Sequence, residues 1–78
     1  MTLGTDRVRV SFNPAGNTDV NDIKQRAADC IDWCEGKRVE IINNQTGTDP
    51  AVGEKVRLLA LAMTAFEEAA MWAVKGVT

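Results

Sequence analysis

Residues 53–78 read GEKVRLLALAMTAFEEAAMWAVKGVT, and the predicted architecture of the chain follows from their composition. Within residues 58–74 the polar positions are Thr64, Glu67 and Glu68, and the run contains neither Gly nor Pro. Alanine, leucine, methionine and glutamate are strong helix formers. The composition therefore predicts one long helix in the last third of the chain.

The long helix is apolar around most of its circumference. At about 100° per residue its polar side chains gather in an arc of roughly 100°: Arg57, Thr64, Glu67, Glu68 and Lys75. A helix apolar nearly all round must be buried nearly all round, and a chain of 78 residues has too little material to do this alone. We expect one face to pack inside the subunit and another against copies of the same chain.

A membrane span is the weaker interpretation of this helix. A bilayer requires roughly 20 consecutive apolar residues, and here Glu67 and Glu68 interrupt the run while Lys75 follows it. Charged residues inside a span are costly. We therefore expect no contact with a membrane.

Length and cysteine content point to the same solution. At 8.5 kDa the chain forms one domain, residues 1–78, and domains of this size commonly need disulfides, a metal or oligomerisation for stability. Cys30 and Cys34 lie four apart on a predicted helix and lack C-x-x-C spacing, and the chain has no histidine. Oligomerisation is the remaining source of stability. Unpaired cysteines in a chain without a signal peptide indicate a reducing cytoplasm.

The net charge of −2 argues against DNA or RNA as a partner, because non-specific nucleic-acid binding requires a strongly basic surface. A small DNA-binding regulator is disfavoured for the same reason and because no basic recognition helix is visible. The net charge is nevertheless compatible with a small anionic ligand held by a local basic cluster.

The remaining elements follow in order along the chain. Residues 1–6 show no periodicity, and residues 7–12 alternate apolar and polar side chains, which predicts an extended N-terminal arm with Val8, Val10 and Phe12 on its buried side. Residues 13–17 carry turn chemistry, so that arm and turn together occupy residues 1–17.

Two helices follow the arm. A first amphipathic helix is predicted over residues 18–36, with Asn17 or Thr18 as N-cap and Gly36 as a left-handed C-cap residue. A loop over 37–49 leads to the long helix over 50–76, with Asp49 as N-cap and Pro50 at its first position. The predicted fold class is all-α: a helical hairpin with an extended N-terminal arm, assembled as a homo-oligomer.

The composition offers few of the residue types that a catalytic site requires. The chain has no histidine and no tyrosine, its one serine is Ser11, and adjacent glutamates on a helix point about 100° apart. A thiol at Cys30 or Cys34 lacks a base to activate it. We expect a protein that is not an enzyme and that uses neither a metal nor a cofactor.

Binding of an anionic, base-containing ligand is easier to build. Four of the nine basic residues, Arg7, Arg9, Lys24 and Arg26, lie within a window of twenty near the N-terminus. Arginine forks suit phosphate oxygens, and the flat faces of Phe12 and Trp33 are available for base stacking. Each charge can equally be a solvated helix flank, and Phe12 can equally be an anchor that fastens the arm.

Two parts of the chain carry a resemblance to a known family. The run from Leu59 to Lys75, LALAMTAFEEAAMWAVK, is similar to the last helix of the phage anti-CBASS cyclic-nucleotide sponge proteins, with its A-L-x-x-x-x-E-x-A-x-M-W-A pattern. Residues 10–14, VSFNP, resemble that family's aromatic-containing arm, and Val20 and Ile23 follow on a helix. The resemblance covers most of the chain except residues 37–53.

The resemblance implies a small α-helical phage protein that assembles as a homohexamer. Such proteins bind cyclic di- and trinucleotides made by bacterial cGAS-like enzymes and sequester them without cleavage in the cytoplasm of the infected host. The effector of CBASS immunity then stays inactive, so that the sponge serves viral immune evasion. Cyclic dinucleotides sit between protomers, and some members bind cyclic trinucleotides around threefold axes.

The resemblance also implies positions for ligand contacts. Phe12 matches the stacking aromatic, where the family has a tyrosine, so any contact of its hydroxyl is absent here. The basic residue that meets phosphate is Lys24 or Arg26, and the bidentate geometry of arginine slightly favours Arg26. The threefold site corresponds to Arg7 or Arg9, together with Thr64.

A rival hypothesis of another class stays open. The chain could be a helical oligomerisation module, an adaptor or an antitoxin-like protein with a protein partner. The sequence also leaves open which cyclic nucleotide is preferred, how many kinds of site an oligomer has, and whether cyclised ADP-ribose signals bind.

Overall fold

The chain folds as three helices without a strand in the residues that its computed structural model describes, which are 1–13, 16–44 and 50–78. They are α1 (Leu3–Val8), α2 (Thr18–Asn43) and α3 (Pro50–Val77). The two long helices form a hairpin, and α1 lies mainly on α2. The all-α prediction is therefore confirmed, as is the long helix over residues 50–76.

The core lies where α2 faces α3 and is made largely of small side chains. Its buried members are Val8 from α1, four residues of α2 and two of α3: Ala27, Ala28, Ile31, Cys34, Met63 and Ala70. Small residues let the helix backbones approach closely. The predicted apolar stripe of the first helix is confirmed, since its positions are buried or half-buried, from Val20 to Cys34.

Cys34 belongs to this core. Both cysteines are free, and burial raises the pKa of the Cys34 thiol, with a smaller contribution from the neighbouring Cys30. A raised pKa disfavours the thiolate, which is the reactive form. Cys34 therefore packs as a small core residue.

The extended arm predicted for residues 7–12 is wrong, because residues 3–8 form α1 and residues 9–12 form a closed turn. Thr2 caps this helix through a reciprocal capping box with Thr5. The Gly4 N–H donates to the Asp32 carboxylate of α2 at 2.7 Å. Capping and docking on α2 thus outweigh the alternating pattern, which predicted an extended strand-like segment.

The predicted burial of the arm is also partly wrong. Val8 is buried and Val10 packs against the core, as the alternation indicated, but 56% of the Phe12 surface is exposed. The exposed ring is held by charged neighbours instead of by the core.

The predicted end of the first helix at Gly36 is wrong as well. Helix α2 continues to Asn43, so residues 37–43 of the predicted loop are helical. Two ion pairs cross this region, Arg38 with Glu35 at 2.7 Å and Lys37 with Glu40 at 3.3 Å. Such pairs three residues apart lie on one helix face and support continuation of the helix.

The start of α2 agrees with the sequence. Asn17 is the N-cap and its side chain accepts from the backbone N–H groups of Asp19 and Val20. Asn13 bonds locally to the backbone of Asn17, and Gly16 adopts a φ of 64°. The remaining turn positions, Pro14 and Ala15, and the predicted N-cap Asp49 of the long helix lie outside the described residues.

Candidate functional site

The candidate site begins at a tight turn that follows α1, formed by residues Arg9 to Phe12. The Phe12 N–H donates to the Arg9 carbonyl at 2.8 Å and closes the turn. Arg9 itself adopts a left-handed conformation with φ 56° and ψ 56°, which ends α1. A left-handed residue other than glycine costs about 1–2 kcal/mol, so the surrounding contacts must hold it.

The Phe12 ring is exposed and carries two cations on it. The Arg9 guanidinium carbon lies 4.8 Å from the ring centroid, and Lys24 Nζ lies 5.5 Å away. Both distances are within the range of cation–π attraction. An exposed aromatic face with positive charge beside it suits a base with a phosphate attached.

A cavity of about 570 Å³ adjoins this turn between α1, α2 and the second half of α3. Its volume lies in the range of small-molecule sites. Its positive side chains are Arg7, Arg9, Lys24 and Lys75, and its other lining residues are Val8, Thr64, Glu67, Glu68, Ala70, Met71 and Val74. Four cations and two carboxylates thus surround an apolar floor.

Arg7 connects α1 to α3 across this cavity. Its guanidinium donates to the Glu67 carboxylate at 2.8 Å and to the Thr64 hydroxyl at 3.3 Å. The pair is only partly shielded, with 25% of the Arg7 side chain and 41% of the Glu67 side chain exposed. Arg7 is therefore already neutralised by a counter-ion that an anionic ligand would have to replace.

Arg26 lies on a different side of α2. Its Nε donates to the Asp22 carboxylate at 3.0 Å, and both side chains are well exposed. It borders a smaller apolar groove of about 260 Å³ between α2 and α3, together with Ile23, Cys30 and Phe66. Of the residues predicted as ligand contacts, four line one cavity: Arg7, Arg9, Lys24 and Thr64. Phe12 is not part of the lining but lies next to it, in contact with Arg9 and Lys24, and Arg26 lies outside the cavity.

Sequence reasoning missed Lys75 and Glu67 as neighbours of the basic cluster. Their position on the polar arc with Thr64 was the available signal, because residues on one helix face reach the same cavity. The Lys75 ammonium also lies 5.1 Å from the Trp72 ring centroid. What the sequence did not reveal was that α1 brings Arg7 against this arc.

The family model of the Acb2/Tad1 hairpin domain matches residues 4–78 of the chain. The match covers all but the first three residues. The chain belongs to this family. Acb2/Tad1 hairpin proteins are the anti-CBASS sponges that residues 59–75 resemble. Searches of curated proteins and of solved structures returned no match.

The match spans nearly all of α1 and the whole of α2 and α3. Within the described parts of the chain, no helix is long and apolar enough to cross a membrane. No group of three or more potential metal-ligating side chains occurs among the same residues.

Proposed function

We propose that this protein binds and sequesters cyclic oligonucleotide immune signals, cyclic dinucleotides and in addition cyclic trinucleotides, without cleaving them. In this role it is a phage protein that acts in the cytoplasm of the infected bacterium and blocks CBASS-type defence. Membership of the anti-CBASS sponge family supports this class of function. The observation that carries it is the exposed Phe12 ring, whose neighbours Arg9 and Lys24 also line the basic cavity.

The chemistry of the cavity fits such a ligand. A nucleobase can stack on Phe12, which contributes about 1–3 kcal/mol per base. The guanidinium groups of Arg9 and Arg7 can meet phosphate oxygens, since arginine forks match their geometry. Thr64 offers a hydroxyl beside Arg7 for a sugar or phosphate oxygen.

The exposed apolar surface of a single chain supports assembly with further copies. Only Met63 and Ala70 of α3 are buried, whereas its large side chains stay exposed: Leu58, Leu61, Phe66, Met71 and Trp72. A patch of this kind marks an interaction surface. In the proposed homohexamer these faces pack on each other, and a nearly twofold-symmetric dinucleotide sits between two chains.

Sequestration without cleavage agrees with the groups that surround the cavity. They are cations, two carboxylates, a hydroxyl and apolar side chains, and the chain has no histidine to act as a base. Glu67 is engaged in an ion pair with Arg7 at 2.8 Å. The proposed protein therefore acts by stoichiometry and is not an enzyme.

Native mass spectrometry with a panel of cyclic di- and trinucleotides tests the proposal. We expect a hexamer that gains about three dinucleotide masses, one for each pair of chains. Ligand recovered after heat denaturation should be intact. A hexamer that binds no member of the panel, or that returns linear or monomeric nucleotides, would contradict the proposal.

Replacing Phe12 by alanine tests the stacking role. We expect the affinity for the bound cyclic dinucleotide to fall by about one to two decades, because stacking on the ring is lost. Trp33→Ala is the matched control, since Trp33 is also exposed and has Lys37 5.6 Å from its ring. Lys37 does not line the cavity, whereas the two cations beside Phe12 do. Titration calorimetry measures both variants.

If Phe12→Ala disrupts assembly and Trp33→Ala does not, Phe12 is an anchor and not a stacking residue. A protein partner is then the better candidate. The exposed Val39 and Ile42 on the last turns of α2 are the surface that favours this second function, a helical adaptor or antitoxin-like module.

A further inference from the structure

Lys24 is the one charged side chain that is buried in the described part of the chain, with 8% of its surface exposed. Burial of an ammonium group is costly unless hydrogen bonds or an opposite charge compensate it. Within the same part of the chain, no carboxylate lies at ion-pair distance from Lys24. The compensation must come from neutral acceptors.

Those acceptors are the two ends of the turn that follows α1. Lys24 Nζ donates to the Arg9 carbonyl at 3.0 Å and to the Phe12 carbonyl. These are the first and last residues of the turn, and the Phe12 N–H donates to the same Arg9 carbonyl. One ammonium group thus bridges the turn from end to end.

The turn needs such support because its first residue is strained. Arg9 is left-handed, and its N–H and that of Val10 donate back to the carbonyls of Asp6 and Thr5 at the end of α1. A positive charge at this point also complements the partial negative charge at the C-terminal end of a helix. Without the ammonium group the Phe12 carbonyl would lose this donor, and the Arg9 carbonyl would keep only the Phe12 N–H. The left-handed residue would then lose a supporting contact.

The two cations over the Phe12 ring, Lys24 and Arg9, therefore have different roles. Lys24 has committed two of its three N–H donors to carbonyls and is largely inaccessible, whereas Arg9 is an exposed residue. Among described contacts no carboxylate pairs with Arg9. Arg9 is thus the cation beside the ring that remains available to a phosphate.

We propose that Lys24 is a positioning residue. Its ammonium group fixes the turn from Arg9 to Phe12 so that the Phe12 ring and the Arg9 guanidinium face the ligand, and it does not itself contact phosphate. This inference rests on the proposed function for its ligand, but the role of Lys24 in the free protein stands independently of it.

The test uses Lys24→Met, which keeps a long unbranched side chain and removes the positive charge. The protein is labelled with 4-fluorophenylalanine. The label marks Phe12 and Phe66 only, since the chain has two phenylalanines. Lys75→Met is the matched control, because it removes the same charge from the same cavity without touching the turn. The probe ligand is cyclic di-AMP, titrated at several salt concentrations.

We expect Lys24→Met to shift the fluorine resonance of residue 12 towards that of the free amino acid while the resonance of residue 66 stays. Affinity for cyclic di-AMP should fall about tenfold, about 1.4 kcal/mol, with the salt dependence of the binding constant unchanged. Lys24→Arg, which keeps a donor for both carbonyls, should restore the resonance and most of the affinity. Lys75→Met should leave the residue 12 resonance in place.

A weaker salt dependence in Lys24→Met with an unmoved residue 12 resonance would overturn the inference, because it is the signature of a lost phosphate contact. An unmoved resonance with unchanged affinity would overturn it too. Should the parent protein bind no cyclic dinucleotide, the proposed function fails, and the fluorine spectra of the free protein still decide whether Lys24 holds the turn. If Lys24→Met does not fold, Lys24→Gln, which also removes the charge but keeps a shorter polar side chain, provides the same two readouts, and an unmoved residue 12 resonance in it would overturn the inference.

Discussion

Gly4 shows at the scale of one residue how α1 is held against α2. A Cβ atom at this position would come within 2.1 Å of the Ala28 carbonyl oxygen and 2.8 Å of Asp32 Oδ1. Those atoms belong to the helix on which α1 rests, and the Gly4 N–H donates to the same carboxylate. Only a residue without a side chain permits this approach.

Replacing Gly4 by alanine should therefore lower the free energy of unfolding by about 1–3 kcal/mol, because α1 must move away from α2. Gly53→Ala is the control, since a Cβ atom at Gly53 meets nothing within 4 Å. Urea unfolding at equal protomer concentration measures both. An unchanged midpoint for Gly4→Ala would contradict the observed docking of α1.

The pair of Arg7 and Glu67 is a second feature of single residues with a functional consequence. Because Glu67 competes with an anionic ligand for Arg7, Glu67→Gln should raise the affinity for a cyclic dinucleotide about two- to fivefold. The unfolding free energy should fall by less than about 1 kcal/mol, since the pair is part-exposed.

Glu68→Gln provides the comparison for this prediction. Glu68 lines the same cavity, but its carboxylate accepts from the Trp72 indole N–H at 3.4 Å and not from Arg7. Calorimetric titration of both variants separates a specific release of Arg7 from a general loss of negative charge. Equal gains in the two variants would refute the specific role of Glu67.

At the scale of elements, the continuity of α2 through Gly36 lengthens the hairpin beyond what the sequence predicted. Gly36 has no positive φ, in contrast to Gly16, and lies within the helix. One charge pair, between residues 35 and 38, spans Gly36, and a second, between residues 37 and 40, follows it; both support the helix. The last turns of α2 carry Val39 and Ile42 as exposed apolar residues.

Gly36→Ala should raise the free energy of unfolding by about 0.5–1 kcal/mol, because alanine has the higher helix propensity and open space surrounds the site. The sign of the change in unfolding free energy distinguishes a helical Gly36 from a left-handed one. A left-handed helix end at Gly36 would instead make alanine destabilising. Thermal unfolding followed by circular dichroism measures the difference.

At the scale of the whole molecule, the hairpin is 50 Å long and 12 Å across in its thinnest dimension. A body of this shape has little interior, and most of the apolar surface of α3 remains outside it. Assembly with further copies would bury this surface and would also bring two Phe12 rings to one ligand in the proposed complex.

Replacing Leu61 by glutamate tests this assembly. Leu61 is 55% exposed on α3, and a charge at an apolar contact costs several kcal/mol, enough to dissociate an oligomer. Sedimentation velocity should show a smaller particle than the parent protein. Gln25→Glu, which adds the same charge at an exposed polar position of α2, should leave the particle size unchanged.

The amino-acid sequence was enough to predict the helical class, the long helix and the apolar stripe by which the first long helix packs. These properties follow from local propensity and from the period of apolar residues, which the chain carries in residues 20–34 and 58–74. The N-cap at Asn17 was also predictable, since a capping side chain bonds to backbone N–H groups no more than three residues away. The run from Leu59 to Lys75 sufficed to indicate the family that the match over residues 4–78 establishes.

The conformation of the N-terminal segment and the composition of the cavity depend on contacts between residues that are far apart in sequence. The alternation of residues 7–12 is compatible with a strand, and contacts with α2 at Gly4 and Lys24 are what turn it into a short helix and a closed turn. In the same way, Lys24 and Arg26 look equivalent in sequence. Residues that are two positions apart on a helix, however, point in directions about 200° apart. One therefore lies under Phe12 and the other in solvent beside Asp22, because helix packing and not residue type selects which charge faces the cavity.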